Sequence, residues 1–295
     1  MKKLVTILGC FLILISCDSA QRYQRLLTTE PLFIDSINPI TTPIKPKYKP
    51  CSVHYDVIYK FLDKNNWDKI GKNNSEMAFG LNIDISEVLN HLVWYATIQM
   101  EKGGIYSSQI AEEFSSFTFK ILTDEYGKII DFKITSPSMP QNDKIETDQL
   151  RKQLVEETKG WEFFGLPRHP VKSGDSFSEI KGTKIKQEIE QEIKKKNKAL
   201  NSSDRSWIDK LTGEIPDVKA ILLGYRTYKG EKVLALSTDY RLTLSHSENK
   251  EKYIRKYKSY IFLDPLTYLP VYVRGNLEEV YSDEFKKLVF AMQAR

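Results

Sequence analysis

VKAILLGYRTY (residues 218–228), a break at Lys229-Gly230, and VLALSTDYRLTL (residues 233–244) decide the fold. Both runs are rich in β-branched and aromatic residues, and a Lys-Gly pair suits a tight turn. They read as two arms of an antiparallel hairpin. A second hairpin follows: residues 253–263 turn at Asp264-Pro265-Leu266-Thr267 into residues 270–280.

Working outward, residues 283–292 read as a short amphipathic helix, with Phe285, Leu288 and Val289 placed to dock on the sheet. Upstream, Phe117, Phe119 and Ile121 alternate with Thr118, Lys120 and Leu122. A turn at Asp124-Glu125-Tyr126-Gly127 leads back through residues 129–134, a further hairpin. Residues 53–62 read as a strand. Residues 86–100 fit either period, with a preference for strand where Thr97 and Ile98 stand. The clearest helical pattern covers 143–160, where Leu150, Leu154 and Val155 line one face and Gly160 caps the end. Residues 184–198 are highly charged, with Ile185, Ile189 and Ile193 four apart, and read as a solvated helix or a long hairpin arm. The expected fold class is therefore α+β: a strongly curved antiparallel sheet, half-barrel-like, with the helix at about 145–160 packed against it.

The N-terminus is read from different chemistry. Lys2 and Lys3 precede an apolar run over residues 4–15, too short for a transmembrane helix of about 20 residues. It ends in Leu14-Ile15-Ser16-Cys17, which resembles the lipobox of bacterial lipoproteins. That resemblance implies that residues 1–16 are a signal peptide and that Cys17 is the lipidation site, carrying a diacylglycerol thioether and a further acyl chain such as palmitate. Two or more chains anchor stably in a bilayer. Residues 18–51 carry Pro31, Pro39, Pro43, Pro46 and Pro50 and read as an extended tether, although residues 31–34 are apolar enough to dock. Residues 52–295 then form one domain, with a possible sub-boundary near 161–170.

Cys10 leaves with the signal and Cys17 is modified, so Cys51 has no partner for an internal disulfide. The formal charge is +5, and it falls to +3 when Lys2 and Lys3 leave. Acidic and basic residues are interspersed, which argues against a nucleic-acid partner.

Residues 166–175, Leu-Pro-x-x-Pro-Val-Lys-x-Gly-Asp, are followed by Leu222-Leu223-Gly224-Tyr225, Tyr228-Lys229-Gly230, and Asp264-Pro265-x-Thr267 before Leu269-Pro270-Val271. This order, with the upstream Asp124-x-x-Gly127 turn, resembles a group of uncharacterised bacterial lipoproteins. Their sheets are similar in outline to the half-barrel of LolA/LolB-type lipoprotein carriers. Tyr268 departs from the pattern, which has Gly after Thr. The resemblance transfers no catalytic residue.

Catalytic chemistry has little support. His54, His91, His169 and His246 are scattered without metal-ligand spacing. Ser178-Glu179-Ile180-Lys181 spells Ser-x-x-Lys but lacks a Lys-Thr-Gly partner. Glu156-Glu157 and Glu278-Glu279 are adjacent and do not face each other. No cofactor or metal is expected, and the chain is not expected to be an enzyme. The sequence points instead to a periplasm-facing lipoprotein, lipid-anchored at Cys17, that binds an apolar ligand or an envelope protein. The alternative is a structural or adaptor lipoprotein with a filled core. Asp18 beside the lipidated Cys resembles an inner-membrane retention signal. Tyr240 and Tyr272 are among the aromatics expected to line an apolar concave pocket.

Overall fold

The computed structural model describes residue 26 and residues 37–63, 76–99, 118–135, 165–186, 211–246, 252–281 and 284–295. Among the described residues, twelve strands form one antiparallel sheet. They are β1 (Cys51–Asp63), β2 (Glu76–Val88), β3 (His91–Gln99), β4 (Thr118–Thr123), β5 (Ile129–Thr135), β6 (Ser176–Ile180), β7 (Leu211–Thr212), β8 (Val218–Tyr228), β9 (Glu231–His246), β10 (Lys252–Leu263), β11 (Pro270–Tyr281) and β12 (Glu284–Ala294). The order is β5-β4-β3-β2-β1-β12-β11-β10-β9-β8-β6, with β7 paired to β9. Two meanders are thus joined where β1 and β12 pair, Tyr55 opposite Ala294 and Phe61 opposite Leu288.

The expected α+β class is corrected by this architecture, which is all-β. Helical residues among those described are Leu26 and 182–186. The segment 143–160, expected as the packed helix, lies outside the described residues. Of residues 283–292, read as a closing helix, those from 284 onward lie in β12. Leu288 and Val289 have helical spacing to Phe285, and Leu, Lys, Ala and Met are good helix formers. That preference, worth tenths of a kcal/mol per residue, loses to position. The strand has a hydrogen-bonded neighbour on each side, β1 and β11. Its two faces are both apolar: Phe290 and Met292 pack inward, while Ala291 is fully buried outward with Ile58, Ala78 and Leu26. The ambiguous stretch 86–100 resolves as the end of β2, a tight turn at Leu89-Asn90 with both residues at positive φ, and β3. The hairpins expected from 117, 218 and 253 onward are β4–β5, β8–β9 and β10–β11.

The sheet curves until its halves share one core. Ile85 and Leu92 of β2 and β3 belong to the same buried cluster as Leu222, Leu234 and Leu236 of β8 and β9. Irregular registers at Leu122/Thr123, Leu222/Gly224 and Phe262/Leu263 all lie at one end of the strands, where such bulges sharpen the bend.

That same end is crossed by two extended straps. Asn38 pairs with Tyr225 on the edge of β8, Ile44 pairs with Val171, and the Tyr48 amide donates to the Glu125 carbonyl in the β4–β5 turn. Antiparallel to it, the Leu166 amide donates to the Tyr126 carbonyl, and Gly174 and Asp175 bond to Leu222. The straps therefore tie the β4–β5 turn to β8 across the curve of an open sheet. Residues 38–50 were read as part of a tether. They are extended, as their prolines require, but packed: Ile40 and Tyr48 are buried, and the Tyr48 ring meets Trp94 edge-on at 4.9 Å. Prolines cannot donate to a ladder, so the segment crosses the sheet rather than joining it.

Candidate functional site: the concave face

Register across β9, β10, β11 and β12 sorts the inward side chains into rows. At the strapped end, Leu236, Ile261, Val273 and Met292 form an apolar row. The next row is Thr238, Ser259, Gly275 and Phe290, and then come Tyr240, Tyr257, Leu277 and Leu288. Beyond them Leu242 stands opposite Arg255, and Arg255 opposite Glu279.

The strapped half is closely packed. Its cluster combines both straps (Ile40, Tyr48, Leu166, Val171) with seven strands. Tyr48, Leu166, Phe177, Ala220, Leu236, Ile261 and Tyr268 line a cavity of about 20 Å³, room for one or two water molecules. Interiors fill in this way because unfilled apolar volume costs contacts. Asp264 holds the adjoining β10–β11 turn by accepting from the Leu266 amide (3.0 Å) and the Thr267 hydroxyl (2.6 Å). Tyr268 sits at φ 61° and packs on the core.

The middle row breaks the apolar face. Gly275 leaves room for the Phe290 ring, which a Cβ would meet at 2.5 Å, and Phe290 stacks near-parallel on Tyr257 at 6.5 Å. The Thr238 hydroxyl and the Tyr240 phenol are buried without a hydrogen-bond partner. Burial raises the Tyr240 pKa, with Arg255 opposing.

Past this row lies a charged triad turned inward. The Arg255 guanidinium donates through Nε (2.7 Å) and Nη2 (2.6 Å) to Glu279 Oε1, and the Tyr253 hydroxyl donates to the same oxygen at 2.9 Å. The Arg255 and Glu279 side chains are 12% and 20% exposed, so the pair is largely withdrawn from water. Burial pushes the Tyr253 phenol up, against the pull of Arg255. Leu242 and Leu244 flank the triad within a second apolar cluster that also holds Ile185 and Val218. Asp217 fastens that cluster's cover: it accepts from the Gly182 amide at 2.8 Å and from Lys181 at 3.2 Å, which lowers its pKa to about 2.

Sequence reasoning singled out other residues. Tyr240 does face inward, but Tyr272 packs on the opposite, outer face with Phe262 and Tyr228 at 5.7 and 5.3 Å. His54, His91, His169 and His246 lie on four different elements, and among the described residues no group of His, Cys, Asp and Glu could hold a metal ion. Ser178 lies on the edge strand β6, while Lys181 pairs with Glu179 and Asp217. Glu278 and Glu279 point to opposite faces, Glu278 outward to Lys256 and Lys287. Cys17 and Asp18 lie outside the described residues. The triad was missed, although Tyr253, Arg255 and Tyr257 at alternate positions signal a cation on an aromatic face.

No protein-family model matches the chain, and no curated protein matches it. Among the described residues no helix is long and apolar enough to cross a membrane.

Proposed function

We propose that the protein is a lipoprotein, held on the periplasmic side of a bacterial membrane through Cys17, whose curved sheet binds a hydrophobic molecule at the end away from the straps. It binds rather than catalyses. The observation that carries this reading is the unequal filling of the concave face. At the strapped end Leu236, Ile261 and Val273 are buried, and at the other end Tyr240, Leu242 and Leu244 of β9 are buried too, whereas Tyr257, Leu277, Leu288 and Phe290 on β10, β11 and β12 are half-buried. Half-buried aromatic and aliphatic side chains on one concave surface are the usual lining of a site for an apolar ligand.

An apolar fluorescent probe tests this. Saturable binding is expected, weakened at least tenfold by Leu277→Asp with the melting temperature kept within a few degrees. The outward Tyr95→Ser is expected to leave it unchanged. Absence of saturable binding would favour a second reading, an adaptor lipoprotein with a filled core. The tight packing beneath the straps is the observation on its side.

Anchoring is tested separately. A fatty-acid probe is expected to label the wild-type chain and to leave Cys17→Ala unlabelled and released from membranes. We place the anchor in the inner membrane, on the strength of Asp18. Fractionation of Asp18→Ser, expected in the outer membrane, checks that placement.

A further inference from the structure

The strapped end presents apolar side chains where a soluble protein has no use for them. Leu89 is 89% exposed, Leu266 is 67% exposed and Val88 is 50% exposed. Leu89 and Leu266 cap two turns, β2–β3 and β10–β11. Both turns lie at the end where β1 begins and β12 finishes, so the two tips project in the same direction. They stand about four strand spacings apart along the sheet, on the order of 19 Å. Leu89 also sits at φ 50°, a left-handed conformation that Asn or Gly adopts at lower cost than Leu. Two apolar residues at projecting tips, one of them in a strained backbone position, are not explained by packing.

Charge at this end favours one kind of partner. Residues 37–50 contain Lys45, Lys47 and Lys49 and no acidic residue. The acids nearby are mostly engaged within the protein. Asp124 meets Arg168, Glu125 meets Lys47, Asp175 accepts from the Lys172 amide, and Asp264 holds its own turn. Among the described residues, exposed Lys45, Lys49, Lys128, Lys229 and Lys232 outnumber exposed Asp84, Glu87 and Glu231. A basic surface carrying apolar tips fits an anionic lipid bilayer: the tips enter the acyl boundary while lysines meet headgroups.

Chain length is compatible. Leu26 packs on the outer face against Ile58, seven residues along β1 from its start at the strapped end. The nine residues back to Cys17 span at most about 30 Å when extended. The seven β1 residues cover about 23 Å, so a lipid on Cys17 can reach the level where β1 begins.

We infer that the strapped end is a membrane-docking face that lies on an anionic lipid surface through Leu89 and Leu266, leaving the opposite end of the concave face directed away from the bilayer. The inference rests on the lipoprotein reading only for the identity of the membrane that supplies the surface. Docking by these residues needs no acyl chain, so it can be tested without one.

Residues 18–295, which keep every described residue, are mixed with vesicles of phosphatidylcholine alone or with 30% phosphatidylglycerol, and binding is read by sedimentation. Saturable binding to the anionic vesicles is expected, at least fivefold weaker on neutral ones and weakened similarly by 0.5 M NaCl. Leu89→Ser with Leu266→Ser should reduce it tenfold or more at an unchanged melting temperature, since both side chains touch little in the fold. Lys45→Gln with Lys49→Gln should reduce it severalfold on anionic vesicles only. No binding to either vesicle, or equal binding by the Leu89→Ser, Leu266→Ser protein, overturns the docking face. Failure of Cys17 to take a fatty-acid label would overturn the anchor while leaving vesicle binding intact, so the two failures are distinguishable.

Discussion

A chain beginning at Ser52 is expected to lose most of its cooperative unfolding transition, whereas a chain beginning at Asp18 melts cooperatively. The missing strap buries Ile40 and Tyr48 at 5% and 6% exposure, and it half-buries Ile44. Burial of side chains of this size contributes about 1.5–3 kcal/mol each. Backbone bonds are lost too, at Asn38–Tyr225, Ile44–Val171 and Tyr48–Glu125, each worth about 1 kcal/mol net. Against this stands the entropy of ordering the segment, which is reduced by Pro39, Pro43, Pro46 and Pro50. Removal also uncovers Leu166, Val171, Leu222 and the Trp94 ring, which the strap shields. A net loss on the order of 3–5 kcal/mol is expected, a large share of the 5–15 kcal/mol typical of a whole domain. Ile40→Asp within the full chain should reproduce much of it by burying a charge without a partner. Denaturant melts of the three chains measure the effect. Identical midpoints for the chains from Asp18 and Ser52 would show that 38–50 is a tether after all.

Gly224→Ala is expected to destabilise by about 2–4 kcal/mol and to release the same strap. Gly224 lies at the bulge of β8 with φ 144°, a region that is nearly glycine-only and costs other residues about 1–3 kcal/mol. A Cβ there would stand 2.5 Å from the Asn38 carbonyl oxygen and 2.9 Å from Ile37 Cγ2. The nearest obstacle is backbone, so relief requires Asn38 to withdraw from Tyr225, and two hydrogen bonds of 2.9 Å go with it. Gly230 provides the comparison. It has φ 86° in the β8–β9 turn, but nothing lies within 4 Å of its Cβ position. Gly230→Ala therefore reports the conformational cost alone, about 1 kcal/mol. The excess at Gly224 measures the strap contact. Amide exchange should show Asn38 and Ile44 deprotected in Gly224→Ala and protected in Gly230→Ala. Equal destabilisation by the two substitutions would remove the steric account.

Legibility in the sequence followed the range of the interaction. The pairs β4–β5, β8–β9 and β10–β11 were readable because each is closed by a local turn, Asp124–Gly127, Lys229-Gly230 and Asp264–Thr267, between runs of β-forming residues. β12 was not, because its spacing of Phe285, Leu288 and Val289 satisfies a helix in isolation. Only the presence of β1 and β11 on its two sides makes the strand the better use of those residues. The strap shows the same limit. Prolines announce an extended chain, but whether it is solvated or buried depends on side chains from β3, β8 and β9 more than forty residues away. Inward and outward faces were legible within one strand by alternation, yet not between strands. Tyr240 and Tyr272 look alike in sequence, and register sends them to opposite sides of the sheet. Arg255 and Glu279 become a pair only through the β10–β11 register, twenty-four residues apart.

The sequence by itself determined the local structure: three hairpins, their turns, the extended proline segment, and the lipobox-like N-terminus that motivates the anchor. Those features depend on contacts within a few residues or on a linear pattern of residue types. Tertiary structure alone decided that the fold is all-β, that β1 meets β12, and that two straps hold one end of the open sheet. It also decided that the concave face is closely packed there and charged beyond. These outcomes arise where residues distant in the chain compete for the same buried surface, and the free energy of that competition resides in the assembled sheet rather than in any segment of it.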